Sequence, residues 1–180
     1  MRSLGLALLA LLLVTACTEE VLFDFEENLA EEVEAINAFL STHDIDVDVT
    51  ESGLRYRLTV PGNGVFADSR DSIIYDFQIY LLDSTFIDST IEEVLDREGQ
   101  TRFNTGPAES FVQREIENLN IIYCFKEAFR LASEGTSIQM FVPSHLAYGN
   151  RGAFFGLSPG IPSNAILLVQ IDMLRVIKRD

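Results

Sequence analysis

Residues 135–177 constrain the fold more than any other stretch. Two apolar runs, Ile138 to Val142 and Ile166 to Leu174, flank a segment too rich in turn-forming residues to continue either one. Short runs of aliphatic residues bounded by glycine, proline, serine and asparagine read as strands. Between them stand Ala147-Tyr148-Gly149, a Gly/Pro-rich loop, and Ile161-Pro162-Ser163-Asn164-Ala165 leading into the second run.

The chain before this unit alternates strand-like and helical patterns. Ser52 to Leu58 alternates like a half-buried strand and ends at Pro61-Gly62-Asn63-Gly64, a strong turn signal. Asp71 to Leu82 is a longer strand, turned back by Asp83-Ser84-Thr85 into Phe86-Ile87-Asp88-Ser89-Thr90. Helical spacing covers Ile121 to Phe129, with Gly135 placed to cap its end. Nearer the start, Leu29, Val33, Ile36, Phe39 and Leu40 fall at helical spacing among acids, which predicts an amphipathic helix packed on the domain. In the 91–120 stretch, Ile91, Val94, Leu95 and later Phe111, Val112 and Ile116 suit short inserted helices.

Taken in order, the strand with its Pro-Gly-x-Gly turn, the Ile-Asp-Ser element, one helix, Ala-Tyr-Gly and Ile-Pro-x-x-Ala resemble an FKBP-type peptidyl-prolyl cis-trans isomerase domain, the macrolide-binding immunophilin family. The resemblance spans about residues 52–178. It implies an α+β fold in which an antiparallel β-sheet wraps a single central α-helix, over residues 51–180, with an insertion at about 91–120. Residues 27–50 form an added N-terminal helical extension.

The resemblance also implies site residues. Tyr148 matches the pocket tyrosine whose hydroxyl donates to a ligand carbonyl, and Asp88 matches the acid at the pocket edge; these two are the candidate catalytic residues. Ile122 matches the residue whose backbone N–H anchors a ligand carbonyl, with Ile121 beside it in the wall. Ile161 matches the aliphatic residue before the final strand. Phe125 stands where a tryptophan usually floors the pocket, Phe77 where a tyrosine is common, and Ile87 and Val169 where the family has aromatics. The wall's remaining aromatic falls to Phe103 or Phe111. The implied pocket is less aromatic than the family's.

Such a site needs neither cofactor nor metal, because rotation about an Xaa-Pro bond breaks no covalent bond. The barrier is amide resonance, about 18–20 kcal/mol. Other chemistries fit poorly. The chain has only His43 and His145, neither in a nucleophile motif, and His145 lies in a turn that reads as exposed. Asp44-x-Asp46-x-Asp48 lacks a calcium loop's glycine and closing glutamate, since Val49 and Arg55 stand there. The alternation of Ile45, Val47 and Val49 predicts an extended segment instead.

The N-terminal residues 1–16 read as a leader: Arg2, then an apolar run from Leu4 to Val14 too short to span a bilayer comfortably. Val14-Thr15-Ala16-Cys17 looks like a lipobox, with lipid on Cys17 and residues 17–26 as a tether. Thr18 is not aspartate, which by resemblance to bacterial sorting points to the outer membrane of the cell envelope. Cys124, in an apolar run, is then expected to be a buried small hydrophobe without a disulfide. Without the leader, whose one charge is Arg2, the formal net charge moves from −15 to −16. That acidity argues against nucleic acid as a partner. The implied partners are Xaa-Pro segments of exported proteins, the membrane through the lipid, and an envelope protein complex. The alternative to an isomerase is a non-catalytic FKBP-like chaperone or assembly subunit.

Overall fold

The computed structural model describes residues 25–100, 111–114, 121–154 and 160–179. The leader, Cys17 and most of the tether lie outside them, as do Phe103, Ile116 and the side chain of Phe111.

The elements run α1 (Phe25–Thr42), β1 (Asp48–Val49), β2 (Arg55–Val60), β3 (Ser72–Leu81), β4 (Phe86–Ser89), α2 (Glu92–Glu98), β5 (Phe111–Arg114), α3 (Tyr123–Leu131), β6 (Ser137–Val142) and β7 (Leu167–Ile177). The strands form one antiparallel sheet in the order β1-β2-β6-β7-β3-β4, with β5 paired to β3 beside β4. In the insertion one expectation is met and one is not. The short helix expected around Ile91, Val94 and Leu95 is α2, closed by Gly99 in the left-handed region at φ 62°. Phe111 and Val112 belong to a strand, not to a helix, pairing with Tyr75 and Ile74. Hydrogen bonding to the exposed edge of β3 outweighs the weak helical spacing of four residues.

Alternation decides which face of the sheet meets which helix. On one face Ile73, Tyr75, Phe77 and Ile79 of β3, Ile138, Met140 and Val142 of β6, and Leu167, Val169, Ile171 and Met173 of β7 form one core with Cys124, Phe125, Ala128, Phe129 and Ala132 of α3. Phe129 is fully buried at its centre, a side chain worth roughly 1.5–3 kcal/mol by area. The other face carries Phe141 and Leu168, and α1 covers it with Ile36, Phe39 and Leu40. The Phe39 and Phe141 rings lie 5.8 Å apart. The sheet is thus enclosed between α3 and α1. Cys124 is fully buried, and burial pushes its thiol pKa up.

At the far end from the Ala-Tyr-Gly turn, Asp71 ties the last strand down. Its Oδ2 lies 2.8 Å from Lys178 Nζ and accepts the Asp68 N–H at 2.7 Å, while Oδ1 accepts the Arg179 N–H at 3.0 Å. The Lys178 hydrogen bond, helped by those two N–H groups, outweighs desolvation and lowers the carboxyl pKa to about 2.

Candidate functional site

The site begins in β3, where Phe77 is fixed from both sides of its peptide. The Phe77 N–H donates to Thr90 Oγ1 at 2.9 Å, and its carbonyl accepts the Ser89 hydroxyl at 2.9 Å and the Thr90 N–H at 3.0 Å. Ser89 and Thr90 are 0 % and 3 % exposed, so these bonds form away from water, where an unmet partner is costly. The Ser-Thr pair after Asp88 therefore locks β4 to β3. The sequence showed those residues without revealing this role. Asp88 pairs with Ile79 across the ladder, and its Oδ1 accepts the Ser89 N–H at 2.9 Å.

Helix α3 supplies the ring that packs on Phe77. Ile122 occupies its N-cap position at φ −60°, ψ 149°, so the Ile122 N–H has no carbonyl of the helix to meet. Phe125, in the first turn, is 5 % exposed and meets Phe77 edge to face, with ring centroids 5.6 Å apart. Tyr75 lies behind both, 6.0 Å from Phe125 and 6.4 Å from Phe77. Tyr75, which the motif reading did not single out, belongs to the same aromatic group; its place two residues before Phe77 on an alternating strand is the signal that would have found it.

The remaining residues come from the connection between β6 and β7. Two one-turn 3-10 helices, Ser144–Leu146 and Gly149–Arg151, bracket Tyr148. Ala153 and Ile161 exchange backbone hydrogen bonds at 2.8 and 2.7 Å, an antiparallel bridge that seats Ile161, 4 % exposed, against the core. Phe154 is 79 % exposed beside this bridge and turned to solvent; Phe155 lies outside the described residues. His145 is half-buried rather than exposed, with Nε2 3.2 Å from the Ser52 carbonyl oxygen.

These pieces converge. Phe77, Ile87, Phe125, Ile161 and Val169 are members of one buried cluster, and Ile121, Ile122 and Tyr148 pack against it. Desolvation raises the Tyr148 phenol pKa to about 12, and the negative charge of Asp88 opposes its ionisation further. Asp88 thus lies within electrostatic reach of Tyr148. A phenol of this kind stays protonated across the physiological range and can donate a hydrogen bond from an apolar surface. Among the described residues, no three His, Cys, Asp or Glu side chains are placed to hold a metal ion.

Comparison with known proteins agrees with this architecture. A profile of FKBP-type peptidyl-prolyl cis-trans isomerases matches residues 63–174. The chain is 28 % identical over 132 residues to "FKBP-type peptidyl-prolyl cis-trans isomerase FkpA" of Aeromonas hydrophila, covering 73 % of this chain and 41 % of that protein. It is 28 % identical over 157 residues to "Outer membrane protein MIP" of Legionella longbeachae, covering 86 % and 58 %. The chain thus spans about half the length of the curated relatives it matches. Among solved structures, FkpA from Escherichia coli is similar with a TM-score of 0.58 at 21 % identity, over 84 % of this chain and 62 % of that one. A peptidyl-prolyl cis-trans isomerase from Pseudomonas syringae reaches 0.58 at 18 % identity, over 83 % and 96 %. The antiparallel sheet around α3, the motif residues gathered at one end of it and the profile match over most of the sheet have one common explanation: the chain belongs to the FKBP-type peptidyl-prolyl cis-trans isomerase family.

Proposed function

We propose that the chain is a peptidyl-prolyl cis-trans isomerase acting on exported proteins in the bacterial cell envelope. The observation that carries the reading is a half-buried Tyr148 packed against the cluster that holds Phe77, Ile87, Phe125, Ile161 and Val169, with Asp88 within electrostatic reach of its phenol. Family membership supports the chemistry.

The mechanism follows from what the site contains. A planar Xaa-Pro amide is strongly dipolar, and its resonance is lost when the bond twists. An apolar pocket therefore favours the twisted amide over the planar one. Phe125 and Phe77 offer an apolar platform for the proline ring. The Tyr148 hydroxyl and the Ile122 N–H are donors fixed by the fold, placed to hold substrate carbonyls while the bond turns. An acceleration of roughly a hundred-thousandfold asks for about 7 kcal/mol, which burial and two oriented donors can supply together.

Exchange spectroscopy on an Xaa-Pro peptide should show acceleration by the full chain in detergent, with an apolar residue preferred before proline. Tyr148→Phe and Asp88→Ala should each lower the rate about tenfold or more. The rate should stay flat from pH 6 to pH 9, because the phenol titrates far above that range. No acceleration at high protein concentration would end the catalytic reading, and full activity in both variants would move the site elsewhere.

The alternative, a non-catalytic FKBP-like chaperone or assembly subunit, is favoured by the exposed Phe154 ring next to Ile161, which suits capture of apolar segments. That reading keeps peptide binding in a titration while the exchange rate stays at the uncatalysed value.

The proposed organisation is a leader over 1–16, a tether from a lipidated Cys17 to residue 26, a helical extension over 27–50 that holds all but the first two residues of α1, and the isomerase domain over 51–180. The lipid would anchor the chain to the envelope, with the outer membrane as its destination. The similar protein named an outer membrane protein supports that placing. Cys17→Ser should shift the chain from the membrane to the soluble fraction; retention of the variant in the membrane would refute the anchor.

A further inference from the structure

Helix α1 reaches past the sheet to the turn that carries Tyr148. Glu32 of α1 is 7 % exposed, and both of its carboxylate oxygens serve one residue. Oε2 accepts the Ser144 N–H at 2.7 Å and Oε1 accepts the Ser144 hydroxyl at 2.7 Å. Ser144 opens the one-turn 3-10 helix four residues before Tyr148, and the first N–H groups of such a turn have no partner within it. A buried carboxylate there makes short, charge-assisted bonds.

A second grip lies one turn earlier. Asn28 Oδ1 accepts from Asn164 Nδ2 at 3.1 Å, and Asn28 and Glu32, four residues apart, share one face of α1. Asn164 follows Ile161 by three residues, and its N–H donates to the Gly149 carbonyl at 3.0 Å. One helix face therefore holds both ends of the segment that presents Tyr148 and Ile161. A cavity of about 270 Å³ bounded by Asn28, Leu29, Glu32, Ser144, His145 and Asn164 lies at this junction, so polar bonds rather than close packing fix it. Without them the turn has room to move.

We propose that Glu32 is a positioning residue for the isomerase site: through Ser144 it fixes the Tyr148 turn, and α1 is part of the catalytic apparatus rather than a cover for the sheet. This rests on the isomerase reading. Displacing a donor by about 1 Å costs up to a hundredfold in rate, so a small shift suffices.

In the full chain, Glu32→Ala should lower kcat/KM about tenfold, mainly through kcat, because the Tyr148 hydroxyl acts on the twisted amide. Glu32→Gln, which can still accept the Ser144 N–H, should stay within about threefold of the parent. Added to Tyr148→Phe, Glu32→Ala should cost nothing further, whereas a loss of general stability would subtract again. Amide hydrogen exchange gives a readout without catalysis. Exchange at Leu146 and Ala147 should quicken in Glu32→Ala while α3 and β7 stay unchanged. If the parent proves inactive, the isomerase reading fails, and exchange alone decides the positioning role. If Glu32→Ala does not fold, Ser144→Ala removes one of the two bonds and should cost about threefold. Unchanged rate and unchanged exchange in the folded variant, or additive losses with Tyr148→Phe, overturn the proposal.

Discussion

Gly152→Ala is expected to destabilise the chain by about 3 kcal/mol or more and to remove most of the isomerase activity proposed for it. Two independent costs meet at this position. Gly152 sits at φ 61°, ψ −160°, a region that residues with a Cβ avoid, at about 1–3 kcal/mol. A Cβ there would overlap the Ile161 carbonyl oxygen and stand 2.8 Å from the carbonyl carbon and oxygen of Pro162. All of these are backbone atoms, so no side chain can swing aside. The loop has to open at the Ala153–Ile161 bridge, which lifts Ile161 from the core beneath Tyr148. Urea unfolding and the exchange assay read the two consequences separately. Gly62→Ala is the control, because it crowds the Glu134 carbonyl at 2.7 Å at the opposite end of β6. That variant should lose stability and keep its rate per folded molecule. Gly152→Ala with parental stability would show that the loop relaxes freely and that this backbone constraint is imaginary.

Phe125→Ala should cost about 3–5 kcal/mol, the range for removing a buried phenyl ring. The ring is 5 % exposed and meets three others edge to face, with centroids 6.0 Å from Tyr75, 5.6 Å from Phe77 and 6.1 Å from Phe129. Each such pair adds about 0.5–1.5 kcal/mol beyond burial, so neighbours that fail to close in lose contact as well. Because Phe125 is also the proposed floor under the proline ring, activity should fall further than stability does. Denaturation midpoints and rates measured well below the transition distinguish these losses. A variant that unfolds like the parent would mean that Tyr75 and Phe77 can collapse into the space.

Much of this arrangement was legible in the residues. The alternating strands, the helical spacing around Phe125 and the two motifs of the β6–β7 connection identify a sheet, its inner helix and the residues at one end. Ile87, Phe77 and Val169 meet in one cluster because strand periodicity alone decides which side chains face α3. Other features were hidden for physical reasons. Phe111 to Arg114 is too short for any period to speak, and its strand state comes from an available edge on β3. Glu32 reads as one more acid on a solvated helix face; only the tertiary position of Ser144 makes it a buried acceptor. Ser89 and Thr90 look like ordinary turn residues until β3 supplies the peptide they bind.

The order of the sheet has a consequence for biogenesis. β7 lies between β6 and β3 and pairs along most of its length with both, yet it follows every other strand in the chain. A polypeptide made from its N-terminus has β2, β3 and β4 in hand with no middle strand to join β6 to β3. Those two edges can only wait, and the pairings that close the sheet bring together residues such as Phe77 and Ile171, far apart in sequence. Completion of the sheet therefore has to wait for the last strand, and until β7 has emerged nothing joins β6 to β3.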